Sequence, residues 1–200
     1  MRAARVRFGV AAVAVLVGSC ATAASAGATH QATKVVTVYP WTAAGTLKAG
    51  VKVAGTVKGT CWTSSIAVSS STAYRCMTNH SLIYDPCFAP VKPHFAQLAC
   101  MAAPWGSVIR FTLTSPIPGS AKHPSGKPRV WADQLATGIR CIVATGTGVL
   151  IDKVALNYYC VPGSGWASTP AHASEPWTVR YATSQRATKL RTVALTTAWY

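Results

Sequence analysis

The stretch Val51-Lys52-Val53-Ala54-Gly55-Thr56-Val57-Lys58 alternates with a period of two. On an extended chain Val51, Val53 and Val57 fall on one side and Lys52 and Lys58 on the other, the pattern of a half-buried strand with a basic outer face. Ile109-Arg110-Phe111-Thr112-Leu113-Thr114 repeats it. Val130–Leu135 and Ile139–Ala144 flank Ala136-Thr137-Gly138 and read as a hairpin. Further strands are expected to end at Tyr158-Tyr159-Cys160 and to cover Trp177–Tyr181 and Thr192–Tyr200. Abundant Thr and Val, and no long Glu/Lys/Leu/Ala-rich stretch, leave little room for helix. The expectation is an all-β fold, a disulfide-stapled sandwich or barrel-like antiparallel sheet.

Between these strands the punctuation is dense. Ser115–Pro128 holds four prolines and two glycines and reads as a loop. Pro162–Pro176 is rich in Gly, Ser and Pro and is expected to be another. A weak echo links Pro104-Trp105-Gly106-Ser107-Val108-Ile109-Arg110-Phe111 to Pro176-Trp177-Thr178-Val179-Arg180-Tyr181. Each follows a Tyr-x-Cys element, Tyr74-Arg75-Cys76 or Tyr158-Tyr159-Cys160, so two similar halves are one reading, although the spacing is irregular.

The N-terminus has the three-part order of an export signal. Arg2, Arg5 and Arg7 precede an apolar run from Phe8 to Val17, too short for a membrane-spanning helix. Two endings compete. Ala24-Ser25-Ala26 is a small-residue cleavage site that ends the signal at residue 26. Val17-Gly18-Ser19-Cys20 resembles a bacterial lipobox, which would end it at residue 19 and make Cys20 the lipidation candidate. Residues 27–34 are then expected to be a flexible tether and 35–200 a single β-rich domain. The locations these endings imply are free secretion or a lipid anchor on the outer face of the cell membrane. No later stretch is long and apolar enough to read as a membrane span.

Removal of Cys20 leaves Cys61, Cys76, Cys87, Cys100, Cys141 and Cys160, an even set that in an oxidising compartment reads as three disulfides. Their wide spacing, with no C-x-x-C, argues against a zinc ribbon or a thioredoxin-type pair. Hairpin geometry favours Cys141–Cys160 across the turn region Gly146-Thr147-Gly148, Cys61–Cys76 around Ser69–Ser71, and Cys87–Cys100. Cys76–Cys87 around Thr78–Ser81 competes.

Charge is the other strong signal. Nineteen Lys and Arg stand against four acids, a formal net charge of +15, and only 12% of residues are charged. Without the three signal arginines the net is about +12, a field that attracts polyanions. Lys52, Lys58, Lys122, Lys127 and Arg129 are the candidate anion-binding residues, the last three with His123 in the Pro-rich loop. No nucleic-acid motif accompanies them, so an anionic cell-wall polymer or a membrane surface is the expected partner.

Catalytic signals are thin. Gly146–Ile151 resembles the strand before the catalytic histidine of trypsin-like proteases, but Leu156-Asn157-Tyr158-Tyr159-Cys160 follows with no histidine, and G-x-S-x-G is absent. His30, His80, His94, His123 and His172 fall at no metal-ligand spacing, so no metal, cofactor or catalytic residue is assigned. A small hydrolase built on Asp85 with His80 or His94 stays open, since triads are defined by geometry. Four acids make a glycosidase pair unpromising. Trp62, Trp105 and Trp177 read as core packing rather than as a sugar platform.

Gly59-Thr60-Cys61-Trp62-Thr63-Ser64-Ser65-Ile66-Ala67, Ala73-Tyr74-Arg75-Cys76 and Asp85-Pro86-Cys87-Phe88 carry a resemblance, as do Gly138-Ile139-Arg140-Cys141, Val154–Cys160 and Trp177–Tyr181. Over residues 35–200 the chain resembles an uncharacterised family of exported, cysteine-rich actinobacterial proteins, secreted or lipoprotein-like. The resemblance implies the compartment and supplies no activity, cofactor or catalytic residue. The expectation is therefore a cell-envelope protein, more a non-enzymatic binding module for anionic wall polymers or lipid headgroups than an enzyme. A protein-interaction or inhibitor module is the alternative.

Overall fold

The structure, a computed structural model, describes residues 31–91, 95–119 and 129–200. The expected export signal with Cys20, the first residues of the expected tether, and Lys122, Lys127, His30, His94 and His123 lie outside the described residues. The described residues form thirteen strands and no helix. In chain order they are β1 (Lys34–Val36), β2 (Val53–Ser64), β3 (Ala73–Thr78), β4 (Ile83–Phe88), β5 (Gln97–Cys100), β6 (Val108–Leu113) and β7 (Ala132–Leu135). They continue with β8 (Arg140–Val143), β9 (Val149–Ile151), β10 (Val154–Val161), β11 (Gly165–Ser168), β12 (Thr178–Ala182) and β13 (Arg191–Trp199). No helix among the described residues is long and apolar enough to cross a membrane.

Two closed sheets result. In the first barrel β2 to β6 pair in sequence, and a parallel β2–β6 seam closes the ring. In the second, β7-β8-β10-β11-β12-β13 pair in order and β13 returns to β7 antiparallel. β9 pairs with β10, and β1 runs parallel to the end of β13. The seams differ in direction and strand number, and the echoed segments fall on β6 and β12, which hold different places in their rings. The halves are alike in being closed, not in topology.

Each disulfide joins residues directly opposite each other on paired strands: Cys61–Cys76 across β2–β3, Cys87–Cys100 across β4–β5, and Cys141–Cys160 across β8–β10. These are the pairs that hairpin geometry favours, and Cys76–Cys87 is not formed. All six half-cystines are buried, inside the cores of the two barrels.

A third core lies between the barrels. Phe88 and Val108 of the first and Trp131 of the second pack there with Trp41, Val68 and Met101. Phe88 and Trp131 meet edge to face at 5.9 Å. Apolar burial at the contact makes the two rings share one stabilising surface.

Several expectations are corrected. Thr33 and Lys34, expected in a flexible tether, belong to the second barrel: Thr33 is buried, its Oγ1 donates to Leu195 O and accepts from Trp177 N, and Lys34 opens β1. Val53 does not share the buried side with Val57 but is 42% exposed, because a register shift between Val53 and Gly55 turns it outward. The loop expected over Pro162–Pro176 contains β11, and the turn region after β8 leads into β9 instead of directly into β10. Trp62 is not in the core; it is 41% exposed with the Arg75 guanidinium 5.9 Å above its ring. Trp105 and Trp177 are half-buried, the former against Trp199 at 5.2 Å and the latter stacked on His172 at 4.2 Å.

Candidate functional site: the cavity between the barrels

The chain from β2 to β3, residues 65–72, must turn without a helix or ladder to satisfy its backbone, and side chains do it instead. Ser65 Oγ accepts from Ala67 N and Val68 N, both at 3.0 Å, and donates to Asp85 Oδ1. Ile66 N donates to Asp85 Oδ2 at 3.2 Å, and Arg75 lies 3.7 Å from the same oxygen. Farther along, Thr72 N donates to Ser70 Oγ and Ala89 N to Thr72 O, which fastens the loop to the strand end after β4.

That loop forms one wall of a cavity of about 930 Å³, within the usual range of ligand sites of roughly 300–1,000 Å³. Ser69, Ser70, Ser71 and Thr72 give it a rim of hydroxyls. Val35 and Val38, from β1 and the segment after it, supply apolar wall together with Val68 and Phe88. Tyr39 and Tyr200 border it, with His172 and Arg129 from the second barrel's side. Burial pushes the phenols of Tyr39 and Tyr200 up, so both act as neutral groups at ordinary pH. Tyr39 is oriented by donating its hydroxyl to Ala89 O at 2.7 Å.

Arg129 is the only cationic side chain lining this cavity among the described residues. One of its terminal nitrogens donates to Ile66 O at 3.1 Å. Asp85 therefore fixes the guanidinium at second hand, because the residue it holds by the backbone N–H presents the carbonyl that Arg129 grips. A guanidinium has five donors, and one is spent here. The others have no hydrogen-bond partner among the described residues.

The remaining candidates are dispersed. Lys58 is exposed on the outer side of β2, and Lys52 is exposed just before it. Neither lines the cavity. His80 stands in the exposed turn after β3, whereas the carboxylate of Asp85 is held by Ser65, Ile66 and Arg75. Burial pushes that carboxyl up, against the opposing pull of Ser65, Ile66 N–H and Arg75. Among the described residues no hydrogen bond assembles a Ser–His–Asp group, and no cluster of His, Cys, Asp and Glu suits a metal ion.

Sequence reasoning overlooked two features. A second basic group, Arg180, Arg186, Lys189 and Arg191, is exposed on β12, β13 and the chain joining them, where residues 176–200 contain no acid. The count of basic residues along 180–191 carried that signal. The other is where the acids go. Asp133 is wholly buried and the Asp85 side chain is 1% exposed, which leaves Asp152 and Glu175 as the only exposed acids among the described residues. Comparison with protein-family models, with curated proteins and with solved structures gives no match.

Proposed function

We propose that this chain is an exported, non-enzymatic binding module that holds an anionic amphiphile, a lipid headgroup with the start of its acyl chain, in the cavity between the barrels. The observation that carries the reading is Arg129, a single guanidinium at the edge of a cavity with valine and phenylalanine walls and a hydroxyl rim. Apolar wall suits a hydrocarbon segment, the hydroxyls suit a polyol or phosphate ester, and the guanidinium suits the charge. The outer surface favours the same class of partner. With two of four acids inside, the exterior is close to purely cationic, which raises the local concentration of anionic surfaces and speeds encounter with them. Three disulfides are compatible with an oxidising setting outside the cytoplasm.

The test is calorimetric titration of the mature chain with a single-chain phosphatidylglycerol, its phosphatidylcholine counterpart, and free glycerol phosphate. Binding of the first well above both others supports the reading, because it requires charge and hydrocarbon together. Equal binding of the choline lipid, or equal binding of glycerol phosphate, would remove Arg129 or the apolar wall from the account.

A further inference from the structure

The outer face of the second barrel carries a second concavity, of about 300 Å³. Its floor is aromatic. Tyr159 on β10 and Trp166 on β11 stand directly opposite each other across the strand pair, ring centroids 5.6 Å apart. Tyr159 is exposed and its hydroxyl donates to Gly163 O at 3.0 Å, which fixes the ring over the turn between the two strands. Trp166 is half-buried and backs onto a small apolar cluster with Ala182, Ala187 and Leu190. The floor is thus held in place from both sides.

The rim is polar. Ser164 comes from the β10–β11 turn, and Ser184, Gln185 and Arg186 from the chain after β12. That chain is shaped by Ala187 N donating to Ser184 O and Arg186 N donating to Ser184 Oγ. The Arg186 guanidinium has no partner among the described residues, and the nearest basic neighbours in sequence, Lys189 and Arg191, are also exposed. Aromatic faces, hydroxyls, an amide and an unpaired guanidinium converge on a volume suited to a single sugar ring.

We infer that this concavity is a binding site for an acidic sugar, a pyranose ring carrying a carboxylate or phosphate, within an anionic glycan. The two aromatic rings stand edge to face, so the sugar's C–H groups pack into the angle between Tyr159 and Trp166, its hydroxyls meet Ser164, Ser184 and Gln185, and its anionic group pairs with Arg186. A neutral sugar leaves Arg186 idle, and a small inorganic anion leaves the aromatic pair idle. The site is separate from the cavity between the barrels and does not depend on what that cavity binds.

Titration of the mature chain with trigalacturonate, maltotriose and triglutamate tests it. The expected result is binding of trigalacturonate that neither neutral maltotriose nor triglutamate matches, falling about tenfold in Tyr159→Ser and in Arg186→Gln. Arg186 is exposed and holds no other side chain, so Arg186→Gln leaves the fold intact; Tyr159→Ser also loses the contact with Trp166 and the bond to Gly163 O, so its thermal midpoint is measured beside its binding; Trp166→Phe, retaining a ring, is expected to weaken binding less. Arg129→Gln is expected to leave it unchanged, which separates this site from the inter-barrel cavity. Triglutamate binding as tightly as trigalacturonate, or variants that bind like the parent chain, would overturn the assignment.

Discussion

Asp133 sits wholly inside the second barrel, and neither carboxyl oxygen has a hydrogen-bond partner among the described residues. An ionised carboxylate is costly in such a place, and burial pushes its pKa up to about 8. The nearby Tyr158 hydroxyl, also buried, is pushed up in turn and donates to Val130 O. In the unfolded chain Asp133 titrates near 4, so between about pH 4 and pH 8 the fold holds a proton that the unfolded chain releases. This contribution to stability is fully present below about pH 4, is lost as pH rises towards 8, and is level above. Asp133→Asn is expected to flatten that decline and to be more stable than the parent chain above pH 8, by about 1–3 kcal/mol, in denaturant melts across pH. A parent chain as stable at pH 8.5 as at pH 5, with no gain from Asp133→Asn, would contradict this. None of it is legible in the sequence, where Asp133 is one of four scarce acids on a strand expected from its neighbours. Asp85 stands out in the sequence only as a candidate acid, and its hold on Ser65 and Ile66, about twenty residues back, exists only once β4 lies beside that loop.

Strands that alternate strongly were the readable ones. β2, β6, the β7–β8 hairpin, β12 and β13 follow from β-branched and aromatic residues at period two. β11 did not, because Gly165-Trp166-Ala167-Ser168 has the composition of a loop and is a strand only between β10 and β12. β9 and β10 are joined at Asp152-Lys153, both with positive φ, a hairpin turn that Asn-Gly would have announced and this pair does not. β1 is three residues whose partner lies more than 160 positions away. Close approach of β2 to β3 yields a prediction of its own. A Cβ at Gly59 would collide with Met77 O and stand 2.8 Å from Thr78 Cα, both backbone. Gly59→Ala is expected to cost about 1–3 kcal/mol and to lower the thermal midpoint, whereas Gly50→Ser meets only the strain of a positive φ in open space. Equal midpoints for Gly59→Ala and the parent chain would mean the strand pair yields more easily than its spacing implies.

At the scale of the molecule, charge and cysteine arithmetic were legible and the cavity was not. Net charge is a sum, and disulfide pairing here follows adjacent strands, so both survive without three-dimensional information. The cavity draws on residues 35, 37–39, 68–72, 88, 91, 129, 172 and 200, brought together by the β1–β13 pairing and by the apolar contact between barrels. No local pattern encodes such a site. In the sequence Arg129 is one of several cations in a basic loop, whereas the structure sets it beside the apolar walls of the cavity. The central claim is that this guanidinium selects an anionic headgroup inside the cavity, and the most direct test compares the parent chain with Arg129→Gln for the affinity of single-chain phosphatidylglycerol. Arg129→Gln is expected to lose about tenfold or more, the usual worth of a charge-assisted pair, with Lys52→Gln and Lys58→Gln close to the parent. An affinity unchanged in Arg129→Gln, or lost equally in the two lysine variants, would contradict it and assign the binding to the charge of the exterior alone.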